Sequence, residues 1–117
     1  MKTLLITLAS FVLIYVAYRL YVSSNRDKGI AELLANGALI LDVRTESEFE
    51  GGHIAGSINI PLSQLHNDSI PLDKNKVIIT CCTLGLRSVK GADLLKAKGY
   101  QQVYNGGKIT DVEACMK

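Results

Sequence analysis

Two short and mainly apolar runs, residues 38–41 and 76–80, constrain the fold of this chain more than any other feature. Neither run alternates between polar and apolar side chains, a pattern typical of parallel β-strands that are covered on both faces. Helical patterns separate these runs from two briefer strand candidates, 57–60 and 102–104. Strands that alternate with helices predict an α/β layer fold with a small, mostly parallel sheet.

Local start and stop signals predict the remaining elements. Asp27 is a candidate N-cap for a helix over residues 27–36, which the Asn36-Gly37 pair ends. Thr45 and Glu48 have the spacing of a capping box, which predicts a short helix after the first buried strand. The further predictions are a turn of helix at Leu62 and Leu65, helices over 88–98 and 108–116, and a turn at Gly106-Gly107.

The N-terminal part of the chain differs in character from the rest. Residues 3–18 carry no charged side chain, Arg19 interrupts the run, and the apolar character continues through residue 22. Residues 4–22 are sufficient to cross a bilayer, because the arginine side chain can extend to the headgroups. We therefore expect a single-pass transmembrane helix that anchors the protein in the membrane. Three tyrosines lie near the end of this helix, as expected for residues at a bilayer interface: Tyr15, Tyr18 and Tyr21.

This helix divides the chain into two parts. Residues 1–25 are predicted to form the anchor, with 23–25 as a polar linker, and residues 26–117 to form one folded domain. A cleaved signal peptide is the alternative, because small residues follow the span near a plausible cleavage site. Positive charges stand on both sides of the span, so their distribution gives no clear orientation.

Charge and cysteine content exclude several classes of protein. From residue 27 onward ten Lys and Arg stand against eleven Asp and Glu, so the formal net charge of +2 comes from Lys2, Arg19 and Arg26. The sequence has no basic stripe with interleaved aromatic residues, which argues against a nucleic-acid partner. Three cysteines, two of them adjacent, do not match a disulfide framework, and no Cys/His spacing predicts a zinc site.

A candidate nucleophile follows the second buried strand. Cys82 stands between that strand and the helix predicted from Ser88. In this position the N–H groups of a tight loop and the positive end of a helix dipole favour the thiolate, the nucleophilic form of cysteine. Cys81 and Arg87 also have the Cys-x₅-Arg spacing of cysteine-based phosphatases. The thiol chemistry alone therefore leaves two candidate nucleophiles.

Residues 41–61 resemble the signature of the rhodanese-type sulfurtransferases. The likeness consists of an Asp-Val-Arg triplet, a Glu followed by an aromatic residue, a Gly-His-Ile turn and a Gly-x-x-Asn-Ile-Pro segment. A second motif, Cys-x-x-Gly-x-Arg-Ser, is similar to the active loop of that family. The resemblance runs from about residue 30 to the C-terminus and is greatest to short, single-domain rhodaneses of the phage-shock-protein-E type. The matched positions are Asp42, Arg44, Glu48, Phe49, Gly52, His53, Ile54, Gly56, Asn59, Ile60, Pro61, Cys82, Gly85, Arg87 and Ser88.

The resemblance implies a rhodanese-like three-layer fold and a sulfurtransferase that needs no cofactor or metal. A small donor, thiosulfate or a persulfide, would pass a sulfane sulfur through a persulfide on Cys82 to a thiol or cyanide acceptor. The resemblance also favours a periplasmic domain, on an inner-membrane anchor if the source is bacterial. The residues it implicates are Thr83, Leu84, Gly85, Leu86, Arg87 and Ser88 as the loop that binds the persulfide or substrate, and Asp42 and Arg44 as supports of that loop.

The register of the loop favours Cys82 over Cys81. Gly85 stands three residues after Cys82, as in the rhodanese pattern, and the six residues from Cys82 to Arg87 match the loop length of this family. Cys81 is then expected to be an inward-facing strand residue. Two alternatives remain open: a cysteine-based phosphatase that uses Cys81, and a non-catalytic rhodanese-fold binding module at the membrane.

The side chains around the motif admit more than one role. Arg87 is suited either to bind an anionic donor or to form a structural pair with Asp42 or Glu48. His53 is expected to be part of a structural turn, because no positioned partner marks it as a general base. The rest of the loop carries no cation, so we expect weak attraction for a small dianion; its residues between Cys82 and Arg87 include Thr83, Leu84 and Leu86.

Overall fold

The computed structural model describes residues 1–67 and 70–116. Strands and helices alternate along the folded part, which confirms the predicted α/β class. In chain order the elements are α1 (Lys2–Asn25), α2 (Ile30–Ala35), β1 (Leu39–Asp42), α3 (Glu46–Glu50), β2 (Ile58–Asn59), a 3-10 helix (Leu62–His66), β3 (Val77–Cys82), α4 (Arg87–Ala97), β4 (Gln102–Lys108) and α5 (Ile109–Cys115).

Within the described residues the strands form one parallel sheet in the order β2-β1-β3-β4. Helix α4 and the 3-10 helix pack on one face, and α2 and α5 pack on the other. This three-layer arrangement confirms the predicted fold. Because parallel strands end at the same edge, Asp42 at the end of β1 and Cys82 at the end of β3 lie at neighbouring positions, where ligands bind in such sheets.

The alternation of side chains along β3 builds two separate cores. Ile78 and Cys82 pack with Leu95 of α4 in one core, whereas Ile79 packs with α5 in the other. These side chains are fully buried. Full burial of an aliphatic side chain of this size stabilises a fold by about 1.5–3 kcal/mol. Cys81 faces the second core, so the two adjacent cysteines point to opposite sides of the sheet.

The predicted role of Asp27 as a helix N-cap is wrong. Helix α2 begins at Ile30, after Gly29 in a left-handed conformation with φ of +77°. The backbone N–H of Asp27 instead donates to the carbonyl of Asn105 (2.9 Å), and its carboxylate accepts from the N–H of Asn105 (2.7 Å). This reciprocal pair joins the segment after α1 to β4, a contact between residues far apart in the sequence.

The predicted turn at Gly106-Gly107 is also wrong, because both glycines lie inside β4. A Cβ atom on Gly106 would lie 2.7 Å from a methyl carbon of Ile79 and 2.7 Å from one of Val112. Gly106 therefore permits close packing of β4 between β3 and α5. Gly107 has a φ of +82°, and the register of the β3–β4 pair shifts beside it.

Residues 23–25, predicted as a linker, form the last turn of α1. The hydroxyl of Ser24 donates to the carbonyl of Tyr21 (3.1 Å), and the side-chain amide of Asn25 donates to the same oxygen (2.9 Å). Helix α1 is thus continuous up to the folded domain, and its orientation is fixed by the contacts of its last residues.

Candidate active site

Cys82 ends β3, and its side chain is fully buried. Its Sγ accepts hydrogen bonds from the N–H of Gly85 (3.1 Å) and from the N–H of Ser88 (3.3 Å). Ser88 lies in the first turn of α4, so the sulfur is at the positive end of that helix dipole. This arrangement stabilises negative charge on the sulfur. In the described chain the other loop amides, those of Thr83, Leu84, Leu86 and Arg87, form no hydrogen bond with it.

The loop after Cys82 is held in one conformation by its own hydrogen bonds. Gly85 has a φ of +80°, a backbone conformation that glycine adopts without strain. The hydroxyl of Ser88 donates to the carbonyl of Gly85 (3.2 Å). The carbonyl of Ser88 in turn accepts from the hydroxyl of Thr80 (2.8 Å). These bonds direct the N–H groups of Gly85 and Ser88 toward the sulfur.

Arg87 forms a bidentate ion pair with Glu48, which is one of the structural pairings considered from the sequence. The Nη1–Oε1 distance is 2.6 Å and the Nη2–Oε2 distance is 2.9 Å. Hydrogen bonding to Arg87 lowers the pKa of Glu48 to about 2, and the same contact raises the pKa of Arg87. Glu48 also completes the predicted capping box with Thr45, which the structure confirms. One carboxylate therefore joins the start of α3 to the end of the loop formed by residues 83–88, called the cysteine loop below.

Asp42 and Arg44 form a buried ion pair beside the cysteine loop. Arg44 Nη2 lies 2.8 Å from Asp42 Oδ2 and donates to the carbonyl of Gly52 (2.7 Å). The hydrogen bond with Asp42 is the main cause that raises the pKa of Arg44. Asn59 donates to the carbonyls of both residues, at 3.0 and 2.8 Å. These contacts hold the segment between β1 and β2. In that segment the N–H of Val43 donates to the carbonyl of Cys81, near the end of β3.

Cys81 has a different environment from its neighbour. Its side chain is fully buried on the face of the sheet that α2 and α5 cover, among side chains that include Ile79 and Val112. Burial, with smaller effects from Asp42 and Cys82, raises the pKa of the Cys81 thiol to about 12. A thiol with this pKa remains protonated at neutral pH and is a poor nucleophile.

His53 occupies a structural position, as the sequence predicted. Its Nδ1 lies 2.8 Å from the carbonyl of Phe49, and the two rings stack with centroids 3.7 Å apart. The pair closes the turn after α3. Among residues 1–67 and 70–116, no group of three or more His, Cys, Asp or Glu side chains is arranged to hold a metal ion.

The end of α1 contacts the cysteine loop, a feature that the sequence did not predict. The hydroxyl of Tyr18 donates to the carbonyl of Leu84 (2.8 Å). Val22 is only 5% exposed, and a Cβ atom on Gly85 would lie 2.9 Å from its Cγ1. Apolar residues in a membrane-type helix look alike in sequence whether they face lipid or protein, so no local signal marks this contact. The loop keeps two exposed apolar side chains, Leu84 (56%) and Leu86 (41%).

Comparisons with known proteins agree with this fold. The family model of the rhodanese-like domain matches residues 27–107, which include the whole cysteine loop. The chain belongs to the rhodanese-like family.

Three similar proteins illustrate the relationship. The uncharacterized protein YqhL of Bacillus subtilis is 40% identical over 62% of this chain and 64% of its own length. The thiosulfate sulfurtransferase PspE of Escherichia coli is 32% identical over 62% of this chain and 71% of its own length. A solved rhodanese from E. coli with anions superposes with a TM-score of 0.57 at 31% identity, over 64% of this chain and 91% of that one. The chain thus spans just under two thirds of the length of YqhL and somewhat more of PspE.

Proposed function

We propose that this protein is a sulfurtransferase that carries a sulfane sulfur as a persulfide on Cys82. The observation that carries the proposal is the pair of N–H donors, from Gly85 and Ser88, on the Cys82 sulfur at the start of α4. Preorganised donors of this kind stabilise negative charge without reorganisation during the reaction. The similarity to a thiosulfate sulfurtransferase supports the same reaction class.

The reaction has two steps. The Cys82 thiolate attacks the outer sulfur of thiosulfate, the sulfur–sulfur bond of the donor breaks, and sulfite leaves with the electron pair. The terminal sulfur of the resulting persulfide carries the negative charge near the loop N–H groups. An acceptor thiolate then attacks this terminal sulfur, the Cys82 sulfur–sulfur bond breaks, and the Cys82 thiolate is regenerated. A persulfide donor would react in the same way, with its thiolate as the leaving group.

The roles of the surrounding residues follow from their contacts. Arg87 is paired with Glu48, so we assign it to holding the loop end rather than to binding a donor. The ion pair of Asp42 and Arg44 is likewise assigned a positioning role, because it holds the segment between β1 and β2. The exposed loop residues Leu84 and Leu86 offer no charge to a dianion. Thiosulfate is therefore proposed as a donor of low affinity, and a less charged persulfide as a better one.

We propose that α1 anchors the domain in a membrane. Its 24 residues are long and apolar enough to cross a bilayer, and its most apolar stretch is not buried against the domain. A signal sequence near the N-terminus has the same properties, so attachment needs a direct test. Carbonate extraction of membranes should leave the full-length mass in the pellet, whereas a soluble product that begins near Asn25 would contradict the anchor.

The side of the membrane is a separate proposal. We assign the domain to the periplasm on its resemblance to the phage-shock-protein-E type. Protease added to spheroplasts should then digest the domain. Survival of the domain in intact spheroplasts, with digestion after lysis, would place it in the cytoplasm.

Mass spectrometry of the protein after treatment with thiosulfate tests directly whether Cys82 carries a sulfur atom as a persulfide. The protein should gain the mass of one sulfur atom, and cyanide should remove it. Cys81 and Cys82 are adjacent, so the matched variants Cys81→Ser and Cys82→Ser assign the adduct better than peptide mapping does. Cys81→Ser should keep the adduct and Cys82→Ser should lose it. The reverse result would contradict the assignment, and no adduct from thiosulfate or an alkyl persulfide would favour a non-catalytic binding module.

A further inference from the structure

The last residues of α1 are firmly attached to the domain. Arg26, which follows the helix, donates from Nε to the carbonyl of Gly106 (2.8 Å). The side-chain amide of Asn105 donates to the carbonyl of Asn25 (2.7 Å). Together with the reciprocal bonds between Asp27 and Asn105, these contacts fix the direction in which α1 leaves the sheet.

The cysteine loop lies at a defined height along α1. Tyr18 bonds to the carbonyl of Leu84, and one turn later Val22 packs against Gly85. One turn of helix rises only about 5.4 Å, so the loop is level with the last turns of the apolar span. If residues 4–22 cross the bilayer, Tyr18 and Val22 lie at its boundary, and the loop lies there too.

The surface beside this contact has the composition of a lipid-facing one. Leu84 and Leu86 extend from the loop with 56% and 41% of their surface exposed. A cavity of about 200 Å³ at the base of α1 is lined by three cations and one acid, namely Arg19, Arg26, Lys108 and Asp111 together with Val22 and Ser23. Apolar side chains next to an excess of cations are complementary to the headgroup region of a bilayer with anionic phosphates.

We propose that the cysteine loop docks onto the bilayer surface, with Leu84 and Leu86 in the headgroup region beside α1. The inference rests on the proposed membrane anchor, and it adds the orientation of the domain on the membrane. Donors and acceptors then reach Cys82 along the bilayer surface, which favours thiols and persulfides that carry an alkyl chain over small dianions.

Tryptophan fluorescence can measure this orientation, because the chain contains no tryptophan. Single substitutions Leu84→Trp and Leu86→Trp place the reporter on the loop at exposed positions, where the folded core is not disturbed. Met116→Trp is the matched control, since Met116 is 48% exposed and lines a cavity with Gly37 and Lys76, which precede β1 and β3 at the opposite edge of the sheet. Leu13→Trp, in the middle of α1, reports on insertion of the helix.

The full-length variants are reconstituted in vesicles of phosphatidylcholine and phosphatidylglycerol, with and without brominated acyl chains as quenchers. Leu84→Trp and Leu86→Trp should lose much of their emission to the brominated lipid, Leu13→Trp should lose most of it, and Met116→Trp should lose almost none. Quenching of Leu13→Trp without quenching of the loop reporters would overturn the docking and leave the anchor intact. Absence of quenching at all four positions would overturn both. Near-equal quenching of Met116→Trp and Leu84→Trp would also overturn the orientation.

Discussion

The adjacent residues Cys81 and Cys82 face opposite sides of β3, and their sulfur atoms have different surroundings. Cys81 faces the core under α2 and α5, where burial raises the pKa of its thiol to about 12. Cys82 faces the core under α4, where two backbone N–H groups donate to its sulfur. Both side chains are fully buried, so exposure does not distinguish them. The difference arises because the loop after β3 and the first turn of α4 each supply one N–H donor on the Cys82 side of the sheet.

Burial alone therefore does not define the environment of these two cysteines, because the groups around each sulfur differ. On the Cys81 side the surroundings are mainly apolar, and burial is the largest effect on the thiol, so a negative charge there is disfavoured. On the Cys82 side the loop replaces water with fixed N–H groups. In the proposed mechanism, the cysteine that reacts is the one whose side chain faces the start of the next helix.

The largest effect is expected from exchanging each thiol for a hydroxyl. Cys82→Ser should lower sulfur transfer by at least about three orders of magnitude, because the hydroxyl cannot carry the persulfide. Cys81→Ser should keep most of the activity but lose about 1–3 kcal/mol of unfolding free energy, since it buries a hydroxyl in an apolar core. Steady-state kinetics and denaturant unfolding measure the two effects. An inactive Cys81→Ser with an active Cys82→Ser would reverse the comparison.

A smaller effect should follow from disturbing the donors on the Cys82 side. Gly85→Ala forces an alanine into the left-handed region at φ +80° and brings its Cβ to 2.9 Å from Val22. The left-handed strain alone costs about 1–2 kcal/mol. Converted to a rate, this strain alone lowers kcat/KM by roughly five- to thirty-fold, and the close contact with Val22 adds to the loss.

The double variant Gly85→Ala/Val22→Ala is the control for this prediction. It removes the contact with Val22 but leaves the backbone strain, so it should recover only part of the lost activity. Wild-type activity in Gly85→Ala would show that this loop conformation is not required on the Cys82 side.

The Arg87–Glu48 pair should contribute a modest, pH-dependent stabilisation. The pair is about one third exposed, with 35% and 36% of the two side chains accessible, so Glu48→Gln should cost less than about 1 kcal/mol. The pKa of Glu48 is lowered from 4.5 to about 2, so the stabilisation is complete above pH 4.5 and is lost as the pH falls toward 2. Acid unfolding of wild type and Glu48→Gln should converge in that window. Glu46→Gln, on the same helix, is the control, and an equal effect of both variants would contradict a specific pair.

The smallest effect concerns the two exposed loop side chains near Cys82, Leu84 and Leu86, which we call the rim. Leu84→Lys or Leu86→Lys should lower the KM for thiosulfate by a factor of about two to five, because a partly screened cation attracts the dianion. The measurement is made in detergent, where the loop does not contact a bilayer, and added salt should reduce the effect. Leu86→Gln, which is polar but uncharged, is the control. An unchanged or higher KM for both lysine variants would show that rim charge does not limit donor binding.

Much of the local structure was predictable from neighbouring residues. The apolar runs predicted β1 and β3, and the capping box of Thr45 and Glu48 predicted the start of α3. The boundaries of these two strands differ from the prediction by one or two residues, whereas β4 continues four residues beyond its predicted end. The errors at Asp27 and Gly106 share a cause. Aspartate is common as a helix N-cap and glycine is common in turns, but here contacts with residues distant in the sequence determine what each one does.

The sequence by itself determined the α/β class, the family and the register that favours Cys82, because these depend on residue types at short, fixed spacings. Only the tertiary structure decided that Glu48 pairs with Arg87, that Cys81 faces the core under α2 and α5, and that Tyr18 and Val22 contact the cysteine loop. Each of these joins residues that come together through the packing of helices on a sheet. The direction of one helix relative to another is set by the sum of many such contacts, and no short stretch of sequence contains that information.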